Sequence, residues 1–145
     1  MDLTKEYPRS VRDKHFGLVQ IGRTLDKGRA AAAGTIGEYH YNCPMDQAVF
    51  SFLGIDHEAL LNEIKTKDDA AVEAYVKSFV DKKTPQEIEA WNTEWLNRKP
   101  EGEGIAFFND LRNQVAPDRT DVTTWADLLD LDEKRTVPKR ETVNA

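Results

Sequence analysis

Thr84-Pro85-Gln86-Glu87 is the strongest local instruction in this chain. Thr84 suits an N-cap, Pro85 suits the first helical position, and Glu87 can reach back to the Thr84 N–H. Weaker forms of this helix start recur along the sequence. They are Ser10 with Asp13, Cys43-Pro44 with Asp46, Asp56, Asp68 or Asp69, and Asp121 or Thr123. Between these starts, apolar residues fall at helical spacing. Examples are Val72, Tyr75, Val76, Phe79 and Val80, then Ile88, Trp91 and Trp95, then Ile105, Phe108, Leu111 and Val115. No alternation of apolar and polar residues persists beyond a few positions, so strand signals are nearly absent. The pattern predicts an all-α fold, an irregular orthogonal bundle of six or seven helices.

The first helix is expected to run from the Ser10 cap to Gly34, a C′ residue. Val11, Leu18, Leu25 and Ala32, with Ile21, would form its apolar stripe. Gly17, Gly22 and Gly28 each weaken such a helix by about 1 kcal/mol relative to alanine. They also leave room for another helix to approach closely. Gly34 to Asn42 reads as loop. Pro44 to Leu53 reads as a short helix stopped by Gly54, and Ile55 can staple onto Leu60. From Asp132 the chain is charged and has little to bury. The organisation expected is one helical domain over residues 1–131 and a mobile C-terminal tail over 132–145.

A chain of 145 residues can bury a core without a disulfide or metal, and its single cysteine cannot form an internal disulfide. The opening MDLTKEYPRS is not a secretory signal, and no apolar run approaches the length of a membrane span. A cytoplasmic protein without membrane association is expected. The formal net charge is −6, which argues against a nucleic-acid partner. The charge is unevenly placed. Residues 1–34 hold seven bases against four acids, a net +3, so the chain's −6 leaves −9 beyond them. Either this basic segment pairs with acidic neighbours, or Arg9 and Arg12 form an anion site.

Gly34 to Gly54, GTIGEYHYNCPMDQAVFSFLG, concentrates the chemistry. With Pro44 as first helical residue, Cys43 is an N-cap facing unpaired backbone N–H groups and the positive end of a helix dipole. Both favour an ionised thiol. His40, three residues upstream, is a candidate base or charge partner, and Asp46 can bond the Cys43 backbone N–H. Tyr39 and Tyr41 could line a pocket, since consecutive loop aromatics cannot all face a core. The opposing view makes Cys43 a small buried apolar residue. His40, Cys43 and Asp46 have metal-ligand chemistry, but Pro44 interrupts their spacing, so no metal is expected. No phosphate-binding or dinucleotide motif occurs, and no cofactor is expected.

DLTKEYPRS, LDKGRAAAAGTIGEYHYNCPMDQ, FLGID and APDRTDVTTWADLLDLD occur in that order between Asp2 and Asp132. In these segments the chain resembles a small bacterial family of undetermined activity, domain of unknown function 5069. The resemblance implies a bacterial origin and one self-contained domain, and it transfers no catalytic residue. Two functions are therefore weighed, the first favoured and the second its alternative. One is a binding or protein-interaction module, a homo-oligomer or the adaptor of a protein partner. The other is a small thiol-dependent enzyme or small-molecule binder. It would use the Tyr39–Asp46 loop, with Cys43 as nucleophile or redox thiol, His40 as base or charge partner, Tyr39 or Tyr41 as the pocket wall, and Arg9 and Arg12 as anchors for an anionic ligand.

Overall fold

Helix α1 (Ile21–Ala33) is buried on nearly every side, including its Arg23, Thr24, Asp26 and Lys27. A helix so enclosed must find partners for its polar groups within the fold. Those partners define the region of interest. The computed structural model describes residues 1–140. Among them the all-α expectation holds, with seven helices and no strand. The helices after α1 are α2 (Pro44–Leu53), α3 (His57–Thr66), α4 (Asp69–Val80), α5 (Pro85–Leu96), α6 (Gly104–Val115) and α7 (Trp125–Asp132).

The helix starts follow the sequence closely. Thr84 and Glu87 exchange both bonds of the capping box, at 3.0 and 3.1 Å. Asp56 accepts from the Ala59 N–H and Asp68 from the Ala71 N–H, each at 2.9 Å. The last helix differs from expectation: its cap is Thr124, not Asp121 or Thr123, and Thr124 accepts from Asp127 N–H at 3.3 Å.

The first helix departs from expectation: it starts at Ile21, not after Ser10. Phe16, Gly17 and Gln20 have φ of 54°, 78° and 72°, values that no α-helix admits. The residues from His15 to Leu18 form a tight reversal in which His15 and Leu18 exchange backbone hydrogen bonds at 2.9 and 3.0 Å. Asn92 holds this reversal. Its Oδ1 accepts from Val19 N–H at 3.0 Å, and its Nδ2 donates to Gly17 O at 2.9 Å. The Ser10–Asp13 pair makes its reach-back bond all the same, Ser10 N–H to Asp13 Oδ2 at 3.1 Å, but closes a turn.

The chain divides into two compact units, Met1–Asn92 and Thr93 onward, with the boundary inside α5. The core of the first unit joins Leu18, Ile21 and Leu25 to Val49, Phe50 and Leu53 of α2, Leu60 of α3, and Val72, Val76 and Val80 of α4. Gly28 brings α1 close to its neighbours, since a Cβ there would lie 2.8 Å from Ile64 Cδ1 of α3 and 3.2 Å from the Tyr41 ring. The core of the second unit is Phe108, Val122 and Leu128, with Leu111, Trp125 and Leu131 against it.

Of the segment read as a charged tail, residues 141–145 lie outside the described residues. Residues 132–140 return along the second unit. Glu133 and Val137 are buried, and Arg140 forks onto Asp127 with two bonds of 3.0 Å.

Candidate functional site

The Tyr39–Asp46 segment lies over α1, tied down at several points. Gly34 takes the left-handed conformation that ends α1, and Asn42, with φ 64°, turns the chain into Cys43. Tyr41 donates its hydroxyl to the His57 carbonyl at 2.8 Å, and its ring packs edge-on against Phe50. Burial, then the nearby Asp46 and Asp56 carboxylates, push the Tyr41 phenol above its ordinary range, so it acts as a neutral donor. Tyr39 lies under the Arg23 guanidinium, 5.7 Å from ring centroid to carbon.

Cys43 is the extended N-cap residue of α2, with Pro44 at the first helical position. Asp46 Oδ2 accepts from the Cys43 backbone N–H at 3.3 Å. The carboxylate is wholly buried, and side chains of α1 and of its N-cap residue converge on it. Lys27 Nζ stands 2.8 Å from Oδ2, Thr24 Oγ1 donates to Oδ1 at 2.6 Å, and Gln20 Nε2 donates to Oδ1 at 3.3 Å. The same Lys27 nitrogen lies 3.2 Å from Cys43 Sγ, on a residue that is 4% exposed. Cys43 itself is half-buried. An ammonium is thus fixed beside the sulfur at a helix N-terminus, where anionic groups are favoured.

Of the residues singled out from sequence, Cys43 and Asp46 meet here. His40 is exposed and is not among the groups bonded to the thiol. Arg9 lies on another face of α1, its guanidinium forked onto Asp26 at 3.1 and 3.2 Å, and its backbone N–H bonded to Asp26 Oδ2 at 2.8 Å. Arg12 is half-buried, and its backbone N–H donates to Ser10 Oγ.

Gln20, Thr24 and Lys27 were missed. Thr24 and Lys27 lie three residues apart on one face of α1, and Gln20 is the N-cap residue just before it. The usable signal was the run of small residues Gly28 and Ala30 to Ala33. A helix so poor in bulk is approached closely on several sides, and its polar residues then need internal partners.

A second polar chain runs from Arg9 through His15 to Glu73 and Arg29. Arg9 Nη1 lies 3.4 Å from His15 Nδ1. Arginine can only donate, so Nδ1 accepts and Nε2–H donates to Glu73 Oε2 at 2.5 Å. Arg29 Nη2 bonds Glu73 Oε1 at 2.8 Å. Burial opposes ionisation of Glu73, but the bonds from Arg29 and His15 outweigh it and hold its carboxyl below the usual value. Four basic side chains of the first segment thus meet acidic neighbours: Arg9 on Asp26, Lys27 on Asp46, Arg29 on Glu73, Lys14 beside Glu89.

A family model described as Domain of unknown function (DUF5069) matches residues 5–135. The chain belongs to this family. Its match spans both compact units, and it takes in the Lys27–Cys43–Asp46 constellation and the Glu73 chain. No curated protein matches the chain. Among the described residues no group of three or more His, Cys, Asp or Glu side chains is placed to hold a metal ion, and no helix is long and apolar enough to cross a membrane.

Proposed function

We propose that this chain acts through the Cys43 thiol, as an enzyme or binder of small electrophilic molecules. The observation that carries this reading is the Lys27 ammonium, 3.2 Å from Sγ and fixed there by buried Asp46. Reactive cysteines sit in partially exposed, electropositive surroundings of this kind. Asp46 positions Lys27. Exposed His40 and half-buried Tyr39, on the same loop, supply contacts for the ligand.

The test is the rate of iodoacetamide alkylation at neutral pH, native protein against urea-unfolded protein, since the unfolded chain supplies the ordinary thiol rate. A native rate about tenfold the unfolded rate supports the reading. A native rate far below it makes Cys43 a packing residue and overturns it.

A second reading, a protein-interaction module or homo-oligomer, is favoured by α6. Ile105 and Phe107 are 48% and 64% exposed there, both large apolar side chains. Light scattering on wild type and Phe107→Ser checks it. A wild type that stays monomeric at high concentration and retains no partner in pull-downs rejects this alternative.

A further inference from the structure

We propose that Lys27 and Cys43 are the two halves of an oxidative cross-link that ties α1 to the start of α2. The inference rests on the Cys43 reading in one respect, that a small molecule reaches the sulfur. Cys43 is half-buried at a helix cap, while Lys27 is 4% exposed with its nitrogen 3.2 Å from Sγ. An amine held this close, out of bulk water, is the nearest nucleophile to any oxidised sulfur formed there.

The chemistry needs one equivalent of hydrogen peroxide. In the first step Sγ attacks a peroxide oxygen, the O–O bond breaks, and sulfur gives up two electrons. The products are a sulfenic acid and water. In the second step the Lys27 ammonium passes a proton to Asp46, whose Oδ2 is 2.8 Å away. The freed nitrogen lone pair attacks sulfur, the S–N bond forms and the S–O bond breaks. Hydroxide leaves, takes the proton from Asp46 and departs as water. The nitrogen sheds its remaining extra proton to solvent or buffer, which offsets the proton first carried by the ammonium. Taken from neutral amine and thiol, the protein loses two hydrogens and peroxide becomes two waters. A sulfenamide with a backbone nitrogen is an established fate of sulfenic acids. Here a side-chain nitrogen is already in place. A thiol reductant reverses the link by attacking sulfur and releasing the amine, so the pair works as a redox switch. While it is closed, Cys43 is unavailable to any electrophile and the Lys27 charge is lost.

Peptide mapping after peroxide treatment of the folded full chain tests the proposal. The expected result is a mass lower by two hydrogens, with one linked species joining the Lys27 and Cys43 peptides. Trypsin fails to cut at Lys27 in that species, and dithiothreitol restores both. In Lys27→Arg, which keeps a positive charge but not the amine, oxidation is expected to stop at a sulfenic acid trapped by dimedone. Should Lys27→Arg not fold, dimedone trapping in the wild type decides instead. Trapped Cys43 sulfenic acid, a sulfinic acid or an unmodified thiol, each without the linked peptide, overturns the proposal. Alkylation of untreated protein reads the thiol function separately. Fast alkylation without a linked peptide sinks the cross-link and leaves that function standing. A linked peptide with slow alkylation does the reverse.

Discussion

Lys27 Nζ and Asp46 Oδ2 form an ion pair of 2.8 Å, with side chains 5% and 0% exposed. Two charges so deeply buried are costly to desolvate, and their attraction repays that cost only with good geometry and further hydrogen bonds. Thr24, Gln20 and the Cys43 N–H supply those bonds. Removing one partner strands the other. Lys27→Met is therefore expected to lower stability by about 3–5 kcal/mol in urea unfolding. The double variant Lys27→Met/Asp46→Leu, with no stranded charge, should be more stable than the single one. If the double variant is the worse of the two, the pair stabilises through its attraction and this account of it fails.

Glu73 joins α4 to α1 through Arg29 and to the 15–18 reversal through His15. Its carboxyl is held below the ordinary 4.5 despite the opposing effect of burial. A carboxyl depressed in the folded state adds stability that is fully present above the unfolded value. That stability is lost as pH falls through the folded value. Glu73→Gln should lower the unfolding midpoint at neutral pH and leave it close to wild type in acid, below both values. The side chain is about a third exposed, so the effect at neutral pH is modest, about 1 kcal/mol. A Gln variant with the wild-type acid profile would show that these bonds add nothing.

Two helical glycines separate packing from propensity. Alanine at either should gain helix propensity, about 1 kcal/mol in a helix interior. At Gly104 a Cβ would sit 3.7 Å from Trp125, an ordinary contact, so Gly104→Ala should stabilise by about 0.5 kcal/mol. At Gly28 a Cβ would meet Ile64 Cδ1 at 2.8 Å and a Tyr41 ring carbon at 3.2 Å. The Ile64 methyl can rotate away. The Tyr41 ring is fixed by its bond to the His57 carbonyl. Overpacking costs about 1–3 kcal/mol, so Gly28→Ala should destabilise by about 1 kcal/mol. Thermal melts of both variants give the signs, and a stabilised Gly28→Ala would mean that Tyr41 yields.

Helix starts were legible where the signal was local. Thr84 with Glu87, Asp56, Asp68 and Cys43-Pro44 act within one turn of chain, and each caps as read. Glycines 17 and 28 were legible as weak points or as places where a neighbour comes close. The sequence does not say which one stops a helix and which admits a neighbour, because that depends on residues far along the chain. The Cys43–Asp46 half of the candidate site came from a local cap. Its Lys27 half came from a contact between residues sixteen apart, on a helix whose burial no short window reveals.

Asn92 bears on the largest discrepancy, the start of α1. Its side chain is buried and bonds both Val19 N–H and Gly17 O, seventy-odd positions away, at the reversal that lies among the ten residues expected to be helix before Ile21. Asn92→Ala would leave a buried donor and a partly buried acceptor unmatched, each worth about 1–3 kcal/mol. The expected loss is about 2–4 kcal/mol, since the reversal can relax toward water at Gly17, which is exposed. Asn92→Asp keeps an acceptor for Val19 but sets a carboxylate oxygen against the Gly17 carbonyl, so it should be no better than alanine at neutral pH. Native-state hydrogen exchange gives the sharper readout. The Val19 amide should be strongly protected in wild type and exchange much faster in both variants, while amides in the middle of α4 keep their order relative to the rest. Unchanged Val19 protection in Asn92→Ala would mean that the reversal stands on its own backbone bonds between His15 and Leu18.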